Sequence, residues 1–223
     1  RVDTKFVFTE KDLIKILPSL TRHYYILEVK GTLISKYESL YYDGKNLDFY
    51  FNHHRKKLDR FKIRYRKYLS TDLTFLEVKH KKNGRTDKMR IQVNDLSNEM
   101  TSDHAEFVKN SGIDNKELVP SLLNRFSRIT LVSKNLEERL TLDLNLAFEW
   151  KGTKETVDNI IIAELKQNKS KRNSPFYELM KSNQLRPLKI SKYCIGIIKM
   201  YGKSNIKYNR FKKKLLKIKK IQN

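Results

Sequence analysis

A single cysteine, Cys194, excludes a disulfide framework and any zinc site built on thiolates. No Gly-rich loop of the Walker type is present, so a bound nucleotide would be gripped by side chains rather than by a cradle of backbone amides. No apolar run approaches the roughly 20 residues that a transmembrane helix needs. No signal peptide is visible, and a reducing cytoplasmic compartment is the expectation. Acidic residues are scarce: 25 Asp and Glu face 48 Lys and Arg, for a formal net charge of +23. That imbalance points to an anionic partner, whether nucleic acid, an anionic membrane surface or a phosphate-rich molecule. Against these absences, 39% of residues are hydrophobic, with many Tyr and Phe, and 223 residues suit one sizeable domain.

The most informative stretch is Arg60-Phe61-Lys62-Ile63-Arg64-Tyr65-Arg66. Arg60, Lys62, Arg64 and Arg66 fall on one parity, and Phe61, Ile63 and Tyr65 on the other. As a strand it presents a cationic row on one face and an apolar row on the opposite face. Like charges on one strand face repel, so folding alone gives no reason for them, whereas a polyanionic ligand does. Residues 75–81 repeat the pattern, with Glu77, Lys79 and Lys81 opposite Leu76, Val78 and His80. Residues 88–93 repeat it again, with Lys88, Arg90 and Gln92 opposite Met89, Ile91 and Val93. Asn83-Gly84 between them is a hairpin signal, because both residues tolerate positive φ.

Elsewhere the spacing predicts strands over residues 1–8, 24–30, 37–43, 124–133, 138–146 and 160–166. Helices are expected after Thr9, a plausible N-cap, over 47–57, twice between 97 and 123, and over 176–182, 192–201 and 208–221. In Glu138-Arg139-Leu140-Thr141-Leu142-Asp143-Leu144-Asn145-Leu146, four leucines oppose Arg139, Thr141, Asp143 and Asn145. Residues 160–163 are apolar on both faces and deliver Glu164 and Lys166 on one parity. A carboxylate ending such a strand is a poor candidate for a solvated surface charge. About eight antiparallel strands can remove their edges by closing into a barrel, which places the charged parity in a basic lumen. The fold class is therefore α+β: a closed antiparallel β-barrel forming a basic tunnel, with short peripheral helices and a helical C-terminus. We read residues 1–223 as one domain, 1–202 being the barrel and its packed helices and 203–223 a basic C-terminal helix.

Arg1-x-x-x-Lys5, Ser39-Leu40-Tyr41-Tyr42-Asp43, Arg60-x-Lys62-x-Arg64-x-Arg66, Phe75-Leu76-Glu77-Val78-Lys79, Lys88-x-Arg90, Glu138-Arg139-Leu140-Thr141-Leu142-Asp143, Ile162-Ala163-Glu164-Leu165-Lys166 and Ser191-Lys192-Tyr193 occur in this order. Together they resemble the VTC domain, the polyphosphate polymerase module of the CYTH-like triphosphate tunnel metalloenzymes, in its compact bacterial form. The resemblance implies a basic lumen that holds the triphosphate of ATP and a growing polyphosphate chain, with Mn2+ or Mg2+ beside the phosphates. Position by position, it implies phosphate-binding roles for Lys5, Arg64, Arg66, Lys79, Lys88 and Arg139. It makes Glu164 the metal ligand, Lys192 a residue of the helix at one tunnel mouth, and Arg128 a further phosphate ligand. Lys62, Arg90 and Lys166 share the cationic parity and join the phosphate-binding set. The hydrolytic branch of the superfamily carries Glu-x-Glu-x-Lys on its first strand; here Val2-Asp3-Thr4-Lys5 departs from that pattern.

Phosphoryl transfer needs in-line positioning and positive charge more than covalent help, and rows of Arg and Lys supply both. Glu77 and Asp143 are read as orienting partners of neighbouring cations. Adjacent His53 and His54 do not face the same way, which favours a surface or phosphate-proximal role over a metal site, and His80 is read as structural. The function expected is transfer of the ATP γ-phosphate onto polyphosphate; the alternatives are a triphosphate or polyphosphate hydrolase and a non-catalytic polyphosphate-binding domain. A nucleic-acid-binding module ranks last, since it does not explain why cations and carboxylates share one parity. The basic C-terminus is expected to guide the polymer or to touch an anionic surface.

Overall fold

A computed structural model describes residues 2–113 and 117–222; Arg1 of the first motif lies outside them. The strands are β1 (Val2–Phe8), β2 (Tyr24–Ile26), β3 (Ile34–Gly44), β4 (Arg60–Tyr68), β5 (Leu73–Lys82), β6 (Arg85–Val93), β7 (Leu118–Ser133), β8 (Glu138–Trp150), β9 (Thr153–Val157) and β10 (Ile161–Gln167). The helices are α1 (Glu10–His23), α2 (Asp48–His54), α3 (Ser102–Asn110), α4 (Pro175–Ser182), α5 (Lys192–Tyr201) and α6 (Lys212–Gln222). Every pairing is antiparallel, in the order β1-β10-β8-β7-β3-β4-β5-β6, with β2 on β7 and β9 on β8.

The α+β, barrel-like architecture is the one expected, but a ladder does not close it. The sheet curls into a half-barrel, and among the described residues β1 and β6, at the two ends of the path, are not paired with each other. Side chains from two distant strands meet at one loop across the inner space. Lys5 on β1 donates to the Ile190 carbonyl at 3.4 Å, and Lys62 on β4 donates to Ser191 Oγ at 3.0 Å. These strands stand far apart in the sheet order, so their meeting at residues 190–191 shows that the charged parity faces inward.

Local chemistry explains the elements. Thr9 caps α1 in a reciprocal box, its Oγ1 accepting from Asp12 N–H at 3.0 Å while Asp12 Oδ2 accepts from Thr9 N–H at 2.9 Å. The Asn83-Gly84 turn has φ of 48° and 87°, as a tight hairpin requires. Three departures are instructive. The expected helix at Leu118, Leu122 and Leu123 is the first half of β7. Leu122 packs inward under α5, while Leu118 and Leu123 pack outward, so a strand apolar on both faces imitates helical spacing. Strand β2 is shorter than expected, because the chain turns back on itself through a Val29–Thr32 bridge. Strand β9, not anticipated, returns along β8 through the positive-φ pair Lys151 and Gly152.

Apolar clusters hold the shell. Phe6, Phe8, Leu140, Leu142, Ala163 and Leu165 pack outward against α1 and α4. Ile63, Tyr65, Leu76 and Val78 pack outward against Phe49 of α2 and Val108 of α3. The inner face changes character along the strands. Val7 and Ile162, two residues beyond Lys5 and Glu164 on the same parity, join Tyr41, Leu122 and Phe148 beneath α5. Gly196 permits this approach, since a Cβ there would meet Leu122 Cδ2 at 2.4 Å and Phe148 Cδ1 at 2.5 Å. The last helix packs through Leu215, Ile218 and Ile221 against the same cluster. No helix among the described residues is long and apolar enough to cross a membrane.

Candidate functional site

Registers place the expected residues in rows across the inner face. Lys5, Glu164 and Thr141 form one row, and Asp3, Lys166 and Arg139 the next. Arg128 lies opposite Asp143. Lys62, Lys79 and Lys88 form a row on the other wall, with Arg64, Glu77 and Arg90 beside it. Nine cations, Lys5, Lys62, Arg64, Arg66, Lys79, Lys88, Arg128, Lys166 and Lys192, thus share a face with the carboxylates Glu77, Asp143 and Glu164.

Two of these carboxylates are tightly engaged. Glu77 is fully buried; Arg64 Nε and Nη2 donate to its Oε2 at 2.8 and 2.6 Å, and Lys88 pairs with Oε1. Burial alone would raise the Glu77 carboxyl, but Arg64, Arg66 and Lys88 outweigh it and hold it well below the usual carboxylate range. Asp143 receives a two-point contact from Arg128, at 2.5 and 2.8 Å, and an ion pair from Lys192. Burial opposes its ionisation too, and Lys192 and Arg128 reverse the effect. These pairs fix the rotamers of two arginines and two lysines in advance. Glu77 and Asp143 are therefore orienting partners, as parity suggested.

Arg66 and Lys79 have no such carboxylate anchor among the described residues. Arg66 donates to Ser39 Oγ at 3.1 Å, and its guanidinium lies over the rings of Tyr37 and Phe126 at 5.5 and 5.6 Å. Burial, then the Arg64 charge, push it down to about 10. The Arg64 charge, then burial, then Arg66 push Lys79 down to about 6. Burial lowers Lys62 as well, and takes Lys192 to about 8 despite Asp143. Near neutral pH the wall thus holds an unneutralised charge on Arg66 and an amine, Lys79, whose proton its neighbours drive off.

Glu164 differs from the other two carboxylates. Its nearest cations, Lys166 and Lys5, stand at 3.8 and 3.9 Å, beyond direct hydrogen bonding. Burial would raise it; Lys5, Lys166, Lys192 and Arg128 together hold it ionised. Across the ladder the Thr141 hydroxyl is buried without a hydrogen-bond partner. The described residues contain no cluster of three or more His, Cys, Asp or Glu. One ionised carboxylate and one unpartnered hydroxyl fit a hard divalent cation whose other ligands are phosphate and water oxygens.

Not every expected residue joins the group. Arg139 keeps the inward parity but is exposed, at the mouth opposite α5. Arg90 is exposed on the end strand β6, its guanidinium stacked 4.5 Å over Phe75. His53 faces Lys62, Arg60, Lys81 and Lys5; burial, then those charges, push it down to about 2. His54 is not at the surface: it is buried, with Nε2 2.7 Å from Asn209 Oδ1. His80 is structural, stacked on Phe61 and paired with Asp59 at 2.7 Å. Sequence reasoning missed Thr141 and Ser191 as site residues. Parity marks Thr141, but an uncharged hydroxyl gives no electrostatic signal.

The family model for the VTC domain matches residues 1–201. No curated protein matches the sequence. Among solved structures, a Hippeastrum protein described as an adenylyl cyclase candidate with a dominant triphosphatase activity aligns with a TM-score of 0.57 at 14% identity, covering 86% of this chain and 93% of its own. PH1819 from Pyrococcus horikoshii aligns at 0.52 and 13%, covering 92% of this chain and 100% of its own. A candidate adenylate cyclase from Bacillus halodurans aligns at 0.51 and 11%, covering 85% and 92%. At these identities the likeness is one of fold, the triphosphate tunnel fold.

Proposed function

The chain belongs to the VTC domain family, and from that premise we propose that it transfers the γ-phosphoryl group of ATP to the end of a polyphosphate chain. The observation that supports this reading most directly is the division of the inner face. Arg64 and Lys88 are set by Glu77, Arg128 and Lys192 are set by Asp143, and Arg66 and Lys79 have no carboxylate in ion-pair contact among the described residues. A triphosphate laid between the walls supplies the missing negative charge.

In the step itself a terminal oxygen of the acceptor chain bonds to the γ-phosphorus, the bond to the β–γ bridging oxygen breaks, and ADP leaves with that electron pair. The attacking phosphate oxygen is already ionised, so the protein need supply no base. Arginines make two-point contacts that fix the phosphates in line, and lysines follow charge as it shifts to the leaving group. Glu164, with Thr141 across the ladder, would hold Mn2+ or Mg2+, which neutralises charge on the phosphate oxygens when bound. Lys5, Lys62 and Lys166 extend the cationic floor, and exposed Arg139 and Arg90 suit the capture of a chain at the rim.

Hydrolysis is the second reading, supported by the triphosphatase activity in the description of the Hippeastrum protein. It requires water to take the acceptor's place. Incubation with ATP and Mn2+, followed by a gel for long-chain phosphate and a separate measurement of free phosphate, decides between them. Polymer supports transfer; free phosphate alone supports hydrolysis; neither product, with triphosphate bound, leaves a binding domain.

A further inference from the structure

The inner face has a second region that phosphate chemistry does not use. Beyond the apolar end of the barrel, α5, α6, β9 and the inward residues Val7 and Ile162 enclose a cavity of about 480 Å3. That volume lies within the range of small-molecule sites. Its wall is aliphatic, with Ile160, Ile198, Leu215 and Ile218 among its residues. Side chains that face so large an apolar space forgo the packing partners that a close-packed interior provides. An apolar occupant restores them.

The rim specifies the rest of the ligand. Glu155 is the one carboxylate in the lining, and Lys199 already holds it at 2.8 Å. Lys203, Lys212 and Lys219 also line the opening, and none of them has an ion pair among the described residues. An aliphatic pocket with unneutralised ammonium groups at its mouth matches an apolar chain that ends in an anion. Each methylene taken from water into such a pocket adds favourably to binding.

We infer that this cavity binds a single-chain anionic amphiphile: a fatty acid, or a lysophospholipid with a phosphate monoester head. The site lies on the far side of the apolar band from Lys5 and Glu164, and the inference does not depend on the reaction proposed above.

The test uses the full 223-residue chain, with cis-parinarate displacement below the micellar concentration of each competitor. Laurate should displace the probe from one saturable site, more than tenfold more tightly than dodecylammonium. Changing Lys203, Lys212 and Lys219 together to Gln should weaken laurate at least tenfold and leave dodecanol unchanged. Ile198→Trp should weaken laurate and dodecanol alike. Where that variant does not fold, Leu215→Phe on partly buried α6 serves, with circular dichroism checking the fold. Ile198→Trp and Leu215→Phe should bind triphosphate as the parent does. A lysophosphatidate arm separates the two sources: tighter binding than laurate assigns the lipid, weaker binding the free fatty acid. Absence of saturable binding, equal affinity for laurate and dodecylammonium, or laurate binding untouched in the triple-Gln variant overturns the inference.

Discussion

Triphosphate binding should draw a proton onto Lys79. In the ligand-free protein the Arg64 charge, then burial, then Arg66 hold this ammonium at about 6. At pH 7.5 only about 3% of molecules then carry the proton. A polyphosphate anion beside Lys79 acts in the opposite sense, and a contacting opposite charge moves a pKa by about 1–3 units. A rise of about two units makes Lys79 roughly three-quarters protonated at pH 7.5, an uptake of about 0.7 proton per ligand. At pH 5 the free protein already holds about 90% of that proton, so the uptake falls to about 0.1. The assay is titration calorimetry in PIPES, HEPES and Tris, whose different ionisation enthalpies convert proton uptake into a slope. Lys79→Met is the control, because the protons of triphosphate itself are common to both proteins and cancel in the difference. The same linkage has a sign for stability. Between about pH 6 and the ordinary lysine value the unfolded chain binds this proton and the folded chain does not, so the empty protein gains stability as pH rises through that window. Lys79→Met should flatten that rise. A difference between wild type and mutant below about 0.2 proton at pH 7.5, or one that grows toward pH 5, refutes the reasoning.

Arg64 and Arg66 should separate in urea melts. Arg64→Leu removes the main partner of fully buried Glu77 and should cost about 2–4 kcal/mol, whereas Arg66→Met, which relieves a desolvated and repelled charge, should stay within about 1 kcal/mol. Both should lose triphosphate affinity in calorimetry; equal destabilisation by the two contradicts the division between anchored and unanchored cations. Glu164→Gln should keep metal-free nucleotide binding but lose Mn2+-dependent turnover by about a hundredfold, with weaker Mn2+ binding by electron paramagnetic resonance. Wild-type turnover at low Mn2+ would pass the metal role to Glu77 or Asp143. Thr141→Val, nearly isosteric, removes an unpartnered buried hydroxyl and should raise the stability of the empty protein by about 1 kcal/mol while weakening Mn2+ retention; a lower melting point would mean that the hydroxyl is already satisfied.

The walls of the site were legible because strict alternation separates charge from apolar surface, as in β4 and β5. Where both faces of a strand are apolar, the period disappears. That is why Leu118, Leu122 and Leu123 imitated a helix while lying in β7. Strand β9 is short and mostly polar, so only its Lys151-Gly152 turn marked it. Parity identified Glu77 and Asp143 as partners of the cations but could not tell which cations they hold. That choice depends on registers between strands distant in sequence, such as β7 against β8 and α5 above both. Nor could strand number reveal whether the sheet ends meet. Nor could it show that Lys5 and Lys62 both reach residues 190–191, more than a hundred residues away.

That arrangement bears on calibre. In a barrel sealed by a continuous ladder, strand number and stagger fix one diameter. Here the two ends of the sheet share no ladder among the described residues, and Lys5 on β1 and Lys62 on the interior strand β4 both reach residues 190–191, ending on a carbonyl and a hydroxyl. A lysine tether changes length by rotating its own bonds, without breaking any backbone pairing. The width between these walls is therefore not set by strand pairing alone, because two rotatable side chains join β1 and β4 to residues 190–191.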